Sequence, residues 1–193
     1  MPYRKLLLIG LCLVLLCGCR HGSASVPKED SNDLDVHGAD VNGLDDPLES
    51  KVEITTGSKG LMFSLRGGQF YRGYFDKKSK IPTYQLYVRF HSNQWMNWDT
   101  AKYLTLDGLK ESPVIRVGTD VKCSQYSCGH YEDVILKLDR STLDKWKTTN
   151  TTVRFSSSTV TGSSDIELDS EDTTNFINAM DAVEAYYSRS ISK

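Results

Sequence analysis

The chain has 193 residues, with 23 basic and 25 acidic side chains and a net charge of −2. That near-balance, with no dense basic patch, excludes a nucleic-acid footprint, so no nucleic-acid partner is expected. The length fits one domain with a tail.

Residues 1–18 read as a signal peptide. Arg4 and Lys5 form a positive n-region, Leu6 to Leu16 an apolar h-region, and small Gly18 precedes Cys19. An apolar run of about 11 residues is too short to span a bilayer, which needs roughly 20. A cleavage site at Ser23-Ala24-Ser25 is the alternative reading. Leu16-Cys17-Gly18-Cys19 resembles the lipobox of bacterial lipoproteins, in which the cysteine thiol is lipidated and becomes the new N-terminus. The resemblance implies a palmitate-type anchor at Cys19 that holds the protein to an envelope membrane in an oxidising compartment. Because Arg20 rather than aspartate follows, it also implies the outer membrane, with the domain facing the periplasm. Two or three acyl chains, at about 0.8 kcal/mol per buried methylene, make such an anchor stable.

Residues 19–50 read as the lipidated cysteine followed by an acidic, disordered linker. From Arg20 to Ser50 there are two basic and eight acidic residues and no aromatic ring. Such a segment buries too little apolar surface to offset its ordering entropy. About 30 flexible residues span roughly 30 Å, which sets the domain off the membrane. Within it, Asp33, Asp35, His37, Asp40, Asn42 and Asp45 loosely imitate a calcium loop. The twelfth position from Asp33 is Leu44 where a bidentate glutamate is needed, and a solvated linker is the better reading.

Residues 51–193 form the expected globular domain. Strands are expected at Val52–Thr56, Leu61–Leu65, Phe70–Phe75, Leu86–Phe90, Tyr103–Leu106, Ile115–Val121 and Val134–Leu138, where apolar side chains recur with period two. Gly67-Gly68 reads as a hairpin turn. Cys123 and Cys128 are the even pair left after the signal peptide and Cys19. Between two strands in an oxidising compartment they are expected to form a disulfide across a hairpin tip. A zinc site that adds His130 and His91 is the weaker alternative. A short helix is expected at 141–146, capped by Asp139 or Ser141. Val153–Phe155 and Ile166–Leu168 follow as a second hairpin. A last helix, capped by Asp169 or Ser170, carries Phe176, Ile177, Met180, Val183 and Tyr187 on one face, which is expected to pack on a sheet.

This order predicts a mainly β domain with a C-terminal helix (α+β), an antiparallel sandwich or barrel-like sheet. The run Asp133-Val134-Ile135-Leu136-Lys137-Leu138, then Leu143, Val153-Arg154-Phe155 and Phe176-Ile177, is similar to the C-terminal half of small proteobacterial lipoproteins of unassigned function. The likeness covers residues 131–180 and implies no catalytic residue.

Catalytic motifs are missing: no Gly-x-Ser-x-Gly, no His-Glu-x-x-His and no phosphate-cradling glycine loop. No cofactor and no metal are expected. His130 and Glu132, two apart on one strand, could act as a general base, but an exposed strand pair is the simpler reading. Asp165, Glu167 and Asp169 alternate with Ile166 and Leu168 as a solvent face. The aromatic set Trp95, Trp98 and Tyr103, with Arg89 and Asp99 as polar neighbours, is the candidate partner-binding face, although such rings also fill sandwich cores. The expected function is therefore non-enzymatic: a tethered domain that binds a protein or glycan component of the envelope. The alternatives are a hydrolase assembled around His91 or His130, and a structural or assembly accessory.

Overall fold

The computed structural model describes residues 36, 38–56 and 67–189, all within the unit Asn32–Lys193. The signal segment, Cys19, the start of the leader and the expected strand Leu61–Leu65 lie outside the described residues.

Among the described residues, ten strands and two helices follow in chain order. The strands are β1 (Ala39–Asn42), β2 (Lys51–Thr56), β3 (Gly68–Asp76), β4 (Pro82–Ser92), β5 (Thr100–Thr105), β6 (Gly108–Pro113), β7 (Ile115–Cys123), β8 (Cys128–Leu138), β9 (Thr151–Ser156) and β10 (Ser163–Leu168). Helix α1 (Arg140–Trp146) lies between β8 and β9, and α2 (Ser170–Arg189) follows β10. One sheet has six strands in the order β1-β2-β3-β4-β8-β7, the other four in the order β10-β9-β5-β6, and all pairs are antiparallel. Among the described residues neither sheet closes on itself, so of the two architectures expected the sandwich forms and the closed barrel does not.

The alternation on β4 shows why. Tyr84, Leu86, Val88 and Phe90 point inward and are buried, while Gln85, Tyr87 and Arg89 point to the other face. Leu86 and Val88 sit opposite Leu136 and Val134 of β8 in the same inner layer. Across the core, Phe90 meets Phe155 of β9 edge-on at 5.1 Å, which joins the two sheets. Helix α2 closes the remaining side with Phe176, Ile177, Met180 and Val183, all buried, as its sequence stripe predicts. It comes close because Gly73 of β3 has no side chain where Met180 and Phe176 lie. Tyr71 stacks on Phe176 at 5.2 Å and shares a hydrogen bond with the Thr173 hydroxyl at 2.7 Å.

The disulfide hairpin forms as expected. Ile115–Cys123 pairs with Cys128–Leu138, and Cys123 and Cys128 are bonded across it with their Cα atoms 4.0 Å apart. The sulfurs are spent on each other, so the zinc alternative falls. Asp139 caps α1, accepting from the Thr142 N–H at 2.7 Å, and Asp169 accepts from the Glu171 N–H at the start of α2.

Two expectations need correction. The disordered linker does not extend to residue 50. Residues 39–42 form β1 against β2, and Val36, Ala39, Val41 and Leu44 pack on the core. Tyr186 donates to the Asp45 carboxylate at 2.7 Å, and Tyr187 donates to the Leu44 carbonyl. Four apolar side chains suffice once a sheet edge and a helix are there to receive them. Strand β6 was not expected, because Gly108–Pro113 has almost no apolar residue and is held by pairing with β5.

Candidate functional site

The loop 93–99 carries the chain from β4 in one sheet to β5 in the other, and it holds most of the aromatic set. Its hub is Glu132 on β8, 1 % exposed. One carboxylate oxygen accepts from the Met96 N–H at 2.9 Å, and both accept from the Asn97 N–H, at 2.9 and 3.1 Å. Arg116 Nε lies 3.9 Å away. Asn97 has φ +56°, a left-handed conformation that aims its N–H at this carboxylate. The expected exposed pair of His130 and Glu132 is thus wrong. Both lie where the loop covers the sheet, and Glu132 is fully used as a backbone anchor rather than free as a base.

The loop places the predicted binding residues as follows. Trp98 is buried, its ring 4.6 Å from Phe90. Tyr103 is buried as well, edge-on to Trp146 at 5.5 Å and sharing a hydrogen bond with the Ser112 hydroxyl at 3.0 Å. Neither can meet a partner. Trp95 is partly exposed and meets the His130 ring edge-on at 4.7 Å. Asp99 accepts from the Ser158 hydroxyl and, at 2.8 Å, from the Ser158 N–H. Those bonds hold its carboxyl below the usual range and fasten the β9–β10 connection to the loop. The five residues therefore make no common face: three are structural, and Arg89 lies on the opposite side of the six-stranded sheet.

That outer side carries a ladder of rings and cations. Arg72 lies over Tyr74 and Tyr87 at 5.5 and 5.2 Å and donates twice to the Gln85 side chain. Phe70 stacks on Tyr87 at 4.7 Å. Burial and the neighbouring Asp133 carboxylate push the Tyr87 phenol up to about 12. Arg89 lies over Tyr131 at 5.1 Å, between Asp120 at 3.7 Å and Asp133 at 3.6 Å, and His91 stacks on Tyr131 at 4.7 Å. Each imidazole of the hydrolase alternative thus rests against an aromatic ring. Among the described residues, no three His, Cys, Asp or Glu side chains come together to hold a metal ion.

A third surface was not expected at all. At the tip of the β5–β6 hairpin, Leu104, Leu106 and Leu109 are 51, 65 and 73 % exposed. Leu104 and Leu109 are directly opposed across the two strands and share one face, and Leu106 adds its exposed side chain from the turn beside them, an apolar cap on the tip. The tip is held firmly. Trp146 Nε1 donates to the Leu104 carbonyl at 2.8 Å, and the Thr105 hydroxyl donates to the Gly108 carbonyl at 3.0 Å across the turn. Lys102 pairs with Glu111 at 2.9 Å on the leucine face, and Lys110 with Asp139 at 3.1 Å on the other. The signal was in the sequence. Once Tyr103 is placed in the core, period two forces Leu104 to the opposite face, and Leu106 falls in the turn that follows.

No protein-family model, no curated protein and no solved structure matches this chain. Among the described residues, no helix is long and apolar enough to cross a membrane.

Proposed function

We propose that the chain is a lipid-anchored envelope protein, acylated at Cys19 and held to the outer membrane, whose β domain binds another envelope protein without catalysing a reaction. The observation that carries the binding role is the leucine cap on a braced hairpin. Contiguous exposed apolar surface rimmed by polar groups is characteristic of interaction sites. Leucine methyls offer no flat face for stacking on a sugar ring, so the cap favours a protein over a glycan. The tether supports the same reading, since a lipid anchor raises the local concentration of the domain near membrane partners. The lipidation itself rests on the signal sequence and the cysteine at its end.

The test is in-cell crosslinking of the full-length protein and its Leu104→Ser/Leu109→Ser variant, with palmitate labelling of the native chain and of Cys19→Ser. The native chain should incorporate palmitate and capture a defined envelope protein. The leucine variant should keep its circular dichroism and lose the capture. Capture that survives the leucine changes overturns the cap, and label retained by Cys19→Ser overturns the anchor.

A further inference from the structure

We propose that β7 is a self-association edge: two copies of the chain pair antiparallel along it, with Val121 on the two-fold axis, and their six-stranded sheets merge into one. Strand β7 ends its sheet, runs nine residues and is exposed along almost its whole length, with Val121 at 43 %. The opposite edge, β1, is only four residues long. A long exposed edge is a ready template for another strand.

The hydrogen-bonding phase of β7 follows from its turn. The Ser124 N–H donates to the Ser127 carbonyl at 2.8 Å, which makes Ser124 and Ser127 a hydrogen-bonded pair. In an antiparallel ladder such pairs alternate with pairs that exchange no bonds. Cys123 with Cys128, Val121 with His130 and Thr119 with Glu132 are therefore of the second kind. The N–H and C=O groups of Thr119, Val121 and Cys123 accordingly point away from β8, toward a strand that the described residues do not supply.

Side chains select the second copy as that strand. Asp120 and Lys122 share one face, opposite Tyr131 and Gly129 of β8. Centring an antiparallel pair on Val121 puts Asp120 opposite Lys122 of the second copy, twice by symmetry. Val121 then opposes Val121 on the other face, and Thr119 opposes Cys123. The outward backbone groups of the three residues meet one another in the same register. Moving the centre to Asp120 would set two carboxylates against each other, which is unfavourable. The bulge between Arg116 and Gly118 ends the regular edge and limits the pairing to its C-terminal half.

Sedimentation velocity on the full-length lipidated chain, in density-matched detergent over a dilution series, tests this. The native chain should show a reversible dimer. Asp120→Lys places like charges in opposition twice and should weaken it roughly tenfold. Asp120→Lys combined with Lys122→Asp should restore it. Val121→Pro removes an outward N–H while leaving the β8 ladder intact, and should abolish the dimer. If that variant does not fold, the charge exchange decides alone. A native chain that stays monomeric at every concentration overturns the proposal. So does a dimer indifferent to Asp120→Lys, or a loss that the exchange does not reverse. None of these outcomes depends on the leucine cap or its partner.

Discussion

Glu132 holds Asn97 by the backbone: both oxygens of a fully buried carboxylate accept the N–H of a residue 35 positions earlier. The contact pins the one connection that carries the chain from β4 into the four-stranded sheet, and so it fixes how the two sheets share a core. A carboxylate suits this task because it offers several lone pairs to adjacent N–H groups, and bonds to a charged acceptor are stronger than neutral ones.

Glu132→Gln should therefore cost about 1–3 kcal/mol, since the amide keeps one good acceptor and loses the charge. Glu132→Ala should cost more, because the Met96 and Asn97 N–H groups then lose their acceptor altogether. Urea unfolding followed by tryptophan emission checks both. The emission of Trp95 and Trp98, on either side of the anchored amides, should shift in the folded baseline as well. A Glu132→Gln variant as stable as the native chain would show that the loop is held by its apolar contacts alone.

The architecture was legible where one face of a strand is apolar. Leu86, Val88 and Phe90, or Val134, Leu136 and Leu138, identify their strands and their inward face without a structure. The cysteine spacing identifies the β7–β8 hairpin in the same way. What could not be read is what other elements supply. Strand β1 is acidic and short and orders only because β2 and α2 receive its few apolar side chains. Trp95, Trp98 and Tyr103 look alike in sequence, and only the loop anchored by Glu132 sends Trp98 inward and leaves Trp95 partly in solvent. Glu132 itself, flanked by Tyr131 and Asp133, has no pattern that marks it as buried.

The two tryptophans should separate cleanly on substitution. Trp98→Ala removes a buried ring packed on Phe90 and should cost about 3–5 kcal/mol. Trp95→Ala removes a ring that touches His130 at the edge of the fold and should cost less than about 1 kcal/mol. Thermal or urea midpoints decide, and similar losses for both would mean that the loop contributes its stability as a unit.

Asp139 predicts a pH dependence. Burial works to raise its carboxyl, but hydrogen bonds from the Thr142 N–H, from Lys110 and from Ser141 prevail and hold it well below the ordinary range. A carboxyl depressed in the folded state contributes stability above its unfolded pKa of about 3.9, and that contribution is lost as the pH falls toward the folded value. The Lys110 pair is about half exposed and adds little through solvent. The cap on α1 is the larger part, and Asp139→Ala should cost about 1 kcal/mol at neutral pH. The deficit should be constant from pH 7 to about 5 and shrink below about 4. A deficit that persists undiminished in acid would place the effect in packing rather than in the charged cap.

Removing the disulfide should act mainly on the unfolded chain. The loop it closes between Cys123 and Cys128 is short, and chain-entropy reasoning gives about 2 kcal/mol. For a domain of this size that lowers Tm by roughly 6 °C. The double variant Cys123→Ser/Cys128→Ser avoids leaving a free thiol. The hairpin carries on past the sulfurs, with residues 115–122 of β7 laid along β8 and only the bulge unpaired, so the folded sheet should remain. Hydrogen exchange should consequently quicken at residues 119–130 and stay unchanged at Leu86 and Val134. Equal acceleration throughout the sheet would mean that the bond supports the core itself, and that the β7 edge has no order of its own to offer a second strand.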